Sequence, residues 1–255
     1  MGTNLAVVVI TKNEEANICD CLESVKWADE IVVVDSFSDD ATVPLALKYT
    51  ESVVQRAWPG MVGTQRNVGL ELTKADWILF LDADERVTDE LKAELLALTS
   101  TANAGKLAGA RIPRKNYFLG KWLRCSYPDY TSRLLYRGGG RYNEVAGGGF
   151  DTLLFVGAPV PKLTHPLIHM TGESLAQRVK KLDFDSTLQA EEKFRAGQSV
   201  GGVMMTLHSL LAFVRVYFFK RGFLDGTDGL IYAAFASFST FVKYAKLWEK
   251  GRQQH

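Results

Sequence analysis

Cysteine is scarce in this chain, with Cys19, Cys21 and Cys125 the three thiols in 255 residues. Three make neither a disulfide framework nor a zinc quartet, and Cys19 and Cys21 fall in a segment that reads as helix, so reducing cytosol is the expected compartment. A surplus of charge is missing too: 30 Lys and Arg stand against 29 Asp and Glu, a net +1. That balance argues against a nucleic-acid partner, because general binders carry a basic excess against phosphates. Nothing at the start reads as a secretory signal, since residues 1–4 lead into a strand and then into Lys12, Glu14 and Glu15. No long apolar run escapes charge: residues 203–219 contain His208 and Arg215, and residues 229–248 contain Lys243 and Lys246, so neither reads as a plain membrane span. A glycine-rich phosphate loop is also absent where the first strand ends, in Thr11-Lys12-Asn13-Glu14. This argues against an ordinary dinucleotide enzyme or a P-loop nucleotidase.

What is present is a regular alternation. The length suits one large domain or a domain with an appendage, and 47% apolar with 23% charged residues is an ordinary globular composition. Strands are expected at residues 5–10, 30–34, 52–55 and the run into Asp82, and helices at 14–25, 39–49 (with Asp39 as cap) and 63–72. Near-continuous apolar strands joined by helices imply a parallel sheet covered on both faces, with ligands beyond the carboxyl ends of its strands. Beyond Asp82, a helix is expected at 88–98 and strands at 108–112 and 132–136, with 113–120 a loop, either ligand-facing or plain surface. Glycine triplets at 138–140 and 147–149 flank Arg141-Tyr142-Asn143-Glu144 and read as a hairpin, either flexible or ordering over substrate.

The most informative stretch is Ile78-Leu79-Phe80-Leu81-Asp82-Ala83-Asp84. In extended backbone the two carboxylates, two residues apart, project to one side. The same pattern also fits an acidic turn closing a strand. Two further polar strand ends, Thr11 to Glu14 and Asp35-Ser36-Phe37-Ser38-Asp39-Asp40, fall on the same sheet edge and favour a ligand crevice. In Thr164-His165-Pro166-Leu167-Ile168-His169 the proline argues against a helix, so both imidazoles read as structural, with His169 the better candidate for a metal or leaving-group contact.

Together, Val7-Val8-Val9-Ile10-Thr11-Lys12-Asn13-Glu14-Glu15, Ile31-Val32-Val33-Val34-Asp35-Ser36 with Ser38-Asp39-Asp40-Ala41-Thr42, and Gln65-Arg66-Asn67 before Trp77 to Asp84 resemble a family 2 glycosyltransferase of the inverting GT-A fold. The segments 113–120, Tyr127-Pro128-Asp129, Arg133-Leu134 and 220–226 resemble, more narrowly, bacterial glucosyltransferases of the lipopolysaccharide core. Asn143-Glu144 stands where relatives often have His-Glu. The resemblance implies an α/β GT-A domain, Rossmann-like with a mostly parallel central sheet flanked by helices, at residues 1–170. Its nucleotide-binding half would be about 1–100 and its acceptor half about 101–170, with a C-terminal helical extension at 171–255.

The implied reaction moves a hexose, glucose for preference, from a UDP-sugar to a lipid-linked saccharide such as the lipopolysaccharide core, in the cytoplasm at the inner-membrane surface. Asp35 would accept a hydrogen bond from the base, with Thr11, Asn13, Glu14 and Ser36 lining the same pocket. Arg66 would meet the diphosphate as a charge-assisted donor. Arg133 would meet the diphosphate or a strand-edge partner. Asp82 would sit on the ribose and metal side, Asp84 would ligate Mg²⁺ or Mn²⁺, and His169 is a further metal candidate. Glu144 is the favoured base and Asp129 the alternative. Three other readings remain at this point: a haloacid-dehalogenase-type phosphatase, which also uses Asp-X-Asp after a strand, a nucleotidyltransferase, and a non-catalytic sugar-nucleotide sensor or membrane scaffold. In the C-terminal third, Leu207, Leu210, Leu211, Val214, Phe218 and Phe219 form an apolar stripe beside Arg215, Lys220 and Arg221, which fits an interfacial helix or a packed helical cap.

Overall fold

The computed structural model describes residues 3–58, 60–144, 152–171 and 174–253. In chain order the elements are β1 Leu5–Thr11, α1 Ile18–Val25, β2 Glu30–Asp35, α2 Thr42–Ala46, β3 Val53–Gln55, α3 Val62–Leu72, β4 Trp77–Asp82, β5 Glu85–Val87 and α4 Asp89–Leu98. There follow β6 Gly109–Phe118, β7 Lys121–Trp122, β8 Asp129–Tyr136, β9 Gly140–Tyr142, β10 Leu153–Phe155, β11 Leu167–Thr171, α5 Leu175–Arg195, α6 Gly202–Val214 and α7 Gly226–Arg252. The main sheet runs β3-β2-β1-β4-β8-β6-β11-β5, with β7 paired to β6 and a separate β9–β10 pair. β3, β2, β1 and β4 are mutually parallel, and β8 joins β4 antiparallel.

The chain divides into two compact units. The described residues of the first are 3–58, 60–115, 128–144 and 152–169. Those of the second are 116–127, 170–171 and 174–253. Within the first, side-chain alternation along the central strands sends successive residues to opposite faces. Val7, Val9, Val33, Leu79 and Leu81 pack on one side with Ile18, Leu22 and Leu91 of α1 and α4. Val8, Val32, Val34, Ile78 and Phe80 pack on the other with Leu135 and Tyr142. Helix α3 lies close on β1 because Gly69 has no side chain, and a Cβ there would stand 2.1 Å from Cγ1 of Val8. That approach seats the polar run Gln65-Arg66-Asn67 of α3, all buried, near the sheet.

Three expected elements differ from those found. The helix expected at 14–25 starts only at Ile18, because Asn13 takes a left-handed backbone (φ 54°) and the N–H groups of Asn13, Glu14 and Glu15 donate to Ser38, Thr42 and Asp40 side chains instead. The helix expected at 39–49 shrinks to Thr42–Ala46, and the carboxylate that accepts at its start belongs to Asp40, not Asp39. The loop expected at 113–120 is strand through Phe118. A two-residue turn at Leu119 and Gly120, with φ of 51° and 79°, joins β6 to β7 as a primed hairpin turn. The glycine triplet at 138–140 leads into the β9–β10 hairpin, whereas Gly147 to Gly149 lie outside the described residues.

In the second unit α5, α6 and α7 form a helical group. Asp225, buried at the turn before α7, accepts from the N–H groups of Arg124 and Cys125 at 3.2 and 3.0 Å, and Phe118 meets Tyr232 edge to face at 5.7 Å. Lys246 of α7 reaches Asp183 of α5 at 2.7 Å.

Candidate active site

The carboxyl ends of β2, β1 and β4 lie side by side in parallel register, Thr11 opposite Asp35 and Ile10 opposite Asp82. The first two ends are laced together. Ser36 N–H donates to the Thr11 carbonyl at 2.9 Å, Asn13 N–H to Ser38 Oγ at 2.8 Å, and Asp39 N–H to Asn13 Oδ1 at 3.0 Å. Asp35 is fully buried and accepts from Ser38 N–H at 2.9 Å and from Gln55 Nε2 at 3.0 Å, so in this state it braces the loop. Phe37, half exposed at the tip, is held at φ 58°, a conformation uncommon for a bulky residue. Ser36 Oγ accepts from Gln65 Nε2 at 3.0 Å.

Asp82 is the hub of an ion network. Its Oδ1 accepts from Arg66 and its Oδ2 from Arg133, each at 2.5 Å. Arg133 also reaches Glu85 Oε1 at 2.9 Å. Arg114 reaches Glu85 at 3.4 Å and Asp129 at 2.7 Å. Burial works against the charge on Asp82, but the Arg133 and Arg66 guanidiniums outweigh it and hold the carboxyl well below the usual range. Arg66, 1% exposed, also lies under the Tyr142 ring at 5.1 Å. In this arrangement Asp82 binds two arginines, Arg66 and Arg133 face Asp82, and Asp129 is held by Arg114.

Asp84, two residues on, has different surroundings. Its Oδ2 lies 3.2 Å from His169 Nε2, on the strand that pairs with β5. Its Oδ1 is buried with no hydrogen-bond partner among the described residues. Glu14 stands near enough to feel its charge. Burial pushes the Glu14 carboxyl up, the Asn17 amide pulls it down, and Asp84 adds to the rise. An oxygen-rich site with one imidazole and an unmatched buried carboxylate oxygen fits a divalent Mg²⁺ or Mn²⁺ ion. Among the described residues no group of three or more His, Cys, Asp or Glu is placed to hold a metal ion. His165 is separate, paired with Glu94 at 2.9 Å.

Glu144 follows β9. Its Oε1 accepts from Asn67 Nδ2 at 2.7 Å and from Arg141 at 3.3 Å. Those bonds lower its pKa below the ordinary carboxylate value, the Asn67 bond first. Asn67 also exchanges two hydrogen bonds with the Tyr142 backbone, at 2.9 and 3.0 Å. Gly63 leaves room for this, since a Cβ there would come within 2.6 Å of the Asn143 carbonyl. Gln65, Asn67, Glu85 and Arg114 were not singled out from the sequence as site residues. The available signal was two amides flanking an arginine inside a helix, where polar groups persist only when each has a buried partner.

A parallel half-sheet with acidic carboxyl ends, extended by antiparallel strands and followed by helices, is a mixed α/β fold of the GT-A class. The Glycosyl transferase family 2 model matches residues 6–148, and the chain belongs to that family of transferases. It is 29% identical over 262 residues to an uncharacterized glycosyltransferase of Rickettsia felis, with 96% of this chain and 89% of that one covered. It is 27% identical to the lipopolysaccharide core biosynthesis glycosyltransferase LpsC of Rhizobium meliloti, covering 96% and 92%. Among solved structures it resembles S. aureus TarS 1-349 in complex with UDP-GlcNAc (TM-score 0.53, 16% identity, 99% and 93% covered). It also resembles glucosyl-3-phosphoglycerate synthase from Mycobacterium tuberculosis with Mn²⁺, UDP and phosphoglyceric acid (TM-score 0.51, 18% identity, 78% and 81% covered). At these identities the structural likeness speaks to the fold. The phosphatase reading falls with the family, and on chemistry too: a nucleophilic first aspartate has to be available, whereas Asp82 is clamped by two guanidiniums.

Proposed function

We propose that the protein transfers a hexose, glucose in our reading, from a UDP-sugar to a saccharide of the lipopolysaccharide core or another lipid-linked saccharide. In this reading it inverts the anomeric centre and works at the cytoplasmic face of the inner membrane. The observation that carries the donor half is the Asp84 carboxylate, one oxygen on His169 and the other buried without a partner among the described residues, beside the β1 and β2 ends. UDP and a divalent ion in the structural neighbours, and the lipopolysaccharide role in the name of LpsC, support the same reading.

In this mechanism the crevice between the β1 and β2 ends takes the nucleotide, and Asp84 with His169 would hold the ion. When bound, that ion neutralises charge on the departing diphosphate. Glu144 accepts the proton of the acceptor hydroxyl through Oε2, which has no donor among the described residues because Asn67 and Arg141 both use Oε1. The acceptor oxygen then bonds to the anomeric carbon from the face opposite the leaving group, the bond from that carbon to the diphosphate oxygen breaks, and UDP departs. Arg66 and Arg133, neutralised by Asp82, position the Asp82–Asp84 turn in this state and are close at hand for phosphate.

The test is UDP release from a panel of UDP-sugars, with and without Mn²⁺ and with a lipopolysaccharide-core acceptor. Release that needs one hexose donor, the metal and the acceptor is expected, and Asp84→Ala abolishes it while keeping the circular dichroism of the folded chain. Absence of release with every donor and acceptor would turn the assignment toward a sugar-nucleotide sensor or scaffold.

A further inference from the structure

The second unit carries a surface that glycosyl transfer does not use. Helix α6 continues through a π-helical turn, Arg215–Phe219, and the 18 residues Gly202–Phe219 are long and apolar enough to cross a membrane by length and composition, yet only 6% of them are buried. Val203, Leu207, Leu210, Leu211 and Phe218 recur at the spacing of one helix face and are all exposed, Val203 at 83%, and Phe219 at the end is 81% exposed. Helix α7 adds Leu230, Phe238 and Phe241, also exposed.

Contacts between α6 and α7 include small and polar groups: Ser209 is buried and its carbonyl accepts from Ser237 Oγ at 2.8 Å, and His208 stacks on Tyr244 at 4.8 Å. Large apolar side chains outward with small and polar groups at the contact is the arrangement of helices whose outer solvent is lipid, the reverse of a water-soluble hairpin. Charge follows the same logic. Residues 202–224 contain Arg215, Lys220 and Arg221, all exposed, and no Asp or Glu. The acidic side chains just beyond are engaged within the unit, Asp225 on backbone N–H groups and Asp228 on Lys121 at 3.0 Å.

We propose that the outer face of the α6–α7 hairpin embeds in the headgroup and upper acyl layer of an anionic bilayer leaflet, with Leu210, Phe218 and Phe219 in the apolar layer and Arg215, Lys220 and Arg221 at lipid phosphates. The hairpin lies in the leaflet instead of spanning it. Polar α5 covers α7 along another side through Lys246 with Asp183 at 2.7 Å and Lys250 with Glu191 at 3.5 Å, and lipid cannot surround that pair. The inference deepens the lipid-linked-acceptor reading by naming the surface that brings the enzyme to its acceptor. It rests on that reading for its purpose only, since docking needs no transfer.

The experiment is flotation of the full-length chain with vesicles of phosphatidylcholine alone or mixed with phosphatidylglycerol, at low and high salt. One basic side chain at an anionic surface strengthens binding about fivefold, so the three together give about 10²-fold preference for anionic vesicles, lost at high salt. Leu210→Glu/Phe219→Glu abolishes flotation, and Arg215→Gln/Lys220→Gln cuts the preference for anionic vesicles to about fivefold, that of Arg221 alone. Circular dichroism in vesicle-free buffer confirms that each variant is folded. Asp84→Ala floats like wild type, so failure of the transferase reading and failure of docking give different results. Wild-type protein that fails to float with either kind of vesicle, or Leu210→Glu/Phe219→Glu protein that floats unchanged, overturns the proposal. So does a wild-type dimer that the same double variant turns into a monomer without any vesicle binding, which would make the face a contact between copies.

Discussion

Asp82 and Asp84 are two residues apart, yet replacing each by asparagine should have opposite consequences. Asp82→Asn removes the negative charge from between Arg66 and Arg133, which are 1% and 2% exposed, and leaves buried cations short of a counter-charge. Breaking a buried pair by deleting one partner costs about 3–5 kcal/mol. The lower end applies here, about 3 kcal/mol by that measure, because the Asp82 side chain is 29% exposed and Arg133 keeps Glu85. At roughly 2–4 °C per kcal/mol for a chain of this size, the midpoint of thermal unfolding falls by about 6–12 °C. Asp84→Asn, by contrast, relieves a buried carboxylate oxygen that has no donor among the described residues and keeps an atom near His169. Its midpoint stays within about 4 °C of wild type, since an isosteric change with no broken network costs about 1 kcal/mol or less. The two variants then separate again with ligand. UDP and Mn²⁺ at about a hundred times their dissociation constant stabilise wild type by about 2.7 kcal/mol, and Asp84→Asn forfeits most of that shift. Thermal unfolding followed by circular dichroism, with and without UDP and Mn²⁺, measures both effects. An Asp82→Asn protein that melts with wild type, or an Asp84→Asn protein that loses 6 °C or more without ligand, would refute the division of labour.

Glu144→Gln should retain UDP binding and lose transfer by at least about 10²-fold, the usual scale of general-base loss, while Asp129→Asn keeps most of its turnover; the reverse pattern reassigns the base to Asp129. Because hydrogen bonding holds the Glu144 carboxyl below its ordinary value, the acid limb of kcat/KM should lie below about pH 4.3 and the profile should be flat through neutrality, as pH-rate measurements on wild type would show. Acid unfolding offers a further check. The Asp82 pKa is depressed in the folded state, so its stabilisation is complete above the unfolded value of about 3.9 and is lost as pH falls below it. Urea titrations below and above pH 4 should therefore show wild type and Asp82→Asn converging in stability at the acid end.

The parallel half of the fold was legible because its strands carry the signal locally. Val7 to Val9, Val32 to Val34 and Ile78 to Leu81 are continuous β-branched or large apolar runs, and each stops at a polar residue where the sheet edge lies. Thr88 was legible as the start of α4 for the same reason, and its hydroxyl caps Leu91 N–H at 3.2 Å. What was not legible depends on partners distant in sequence. Helical periodicity from Glu14 onward is real, but the first turn is spent on Ser38, Asp40 and Thr42, about 25 residues ahead. Pro113 and Gly120 looked like loop punctuation, yet the turn is confined to Leu119 and Gly120 and the proline sits within β6 opposite Tyr130. Arg66 and Arg133 read as candidate phosphate ligands because arginine does that work, and nothing local revealed that Asp82 also stands between them.

Helix α3 links the two halves of the candidate site through three successive buried side chains. Gln65 donates to Ser36 on the nucleotide side, Arg66 neutralises Asp82, and Asn67 bonds Tyr142 and Glu144 on the rim. Successive helical residues are about 100° apart, so one turn reaches three strands' worth of partners only because Gly69 and Gly63 let the helix approach both β1 and the rim. Asn67→Leu therefore tests whether the rim is positioned or merely present. The substitution leaves the Tyr142 N–H and carbonyl, both buried, without their amide partner, at about 1–3 kcal/mol for groups left unsatisfied, and it frees Glu144 Oε1. If Asn67 positions the base, UDP affinity changes little, turnover falls by about 10-fold or more, and the acid limb of the pH profile moves up toward an ordinary carboxylate value because the leading cause of its depression is gone. A purely structural asparagine would lower the melting midpoint and leave both kcat and the acid limb where they were, and that result would detach Glu144 from α3.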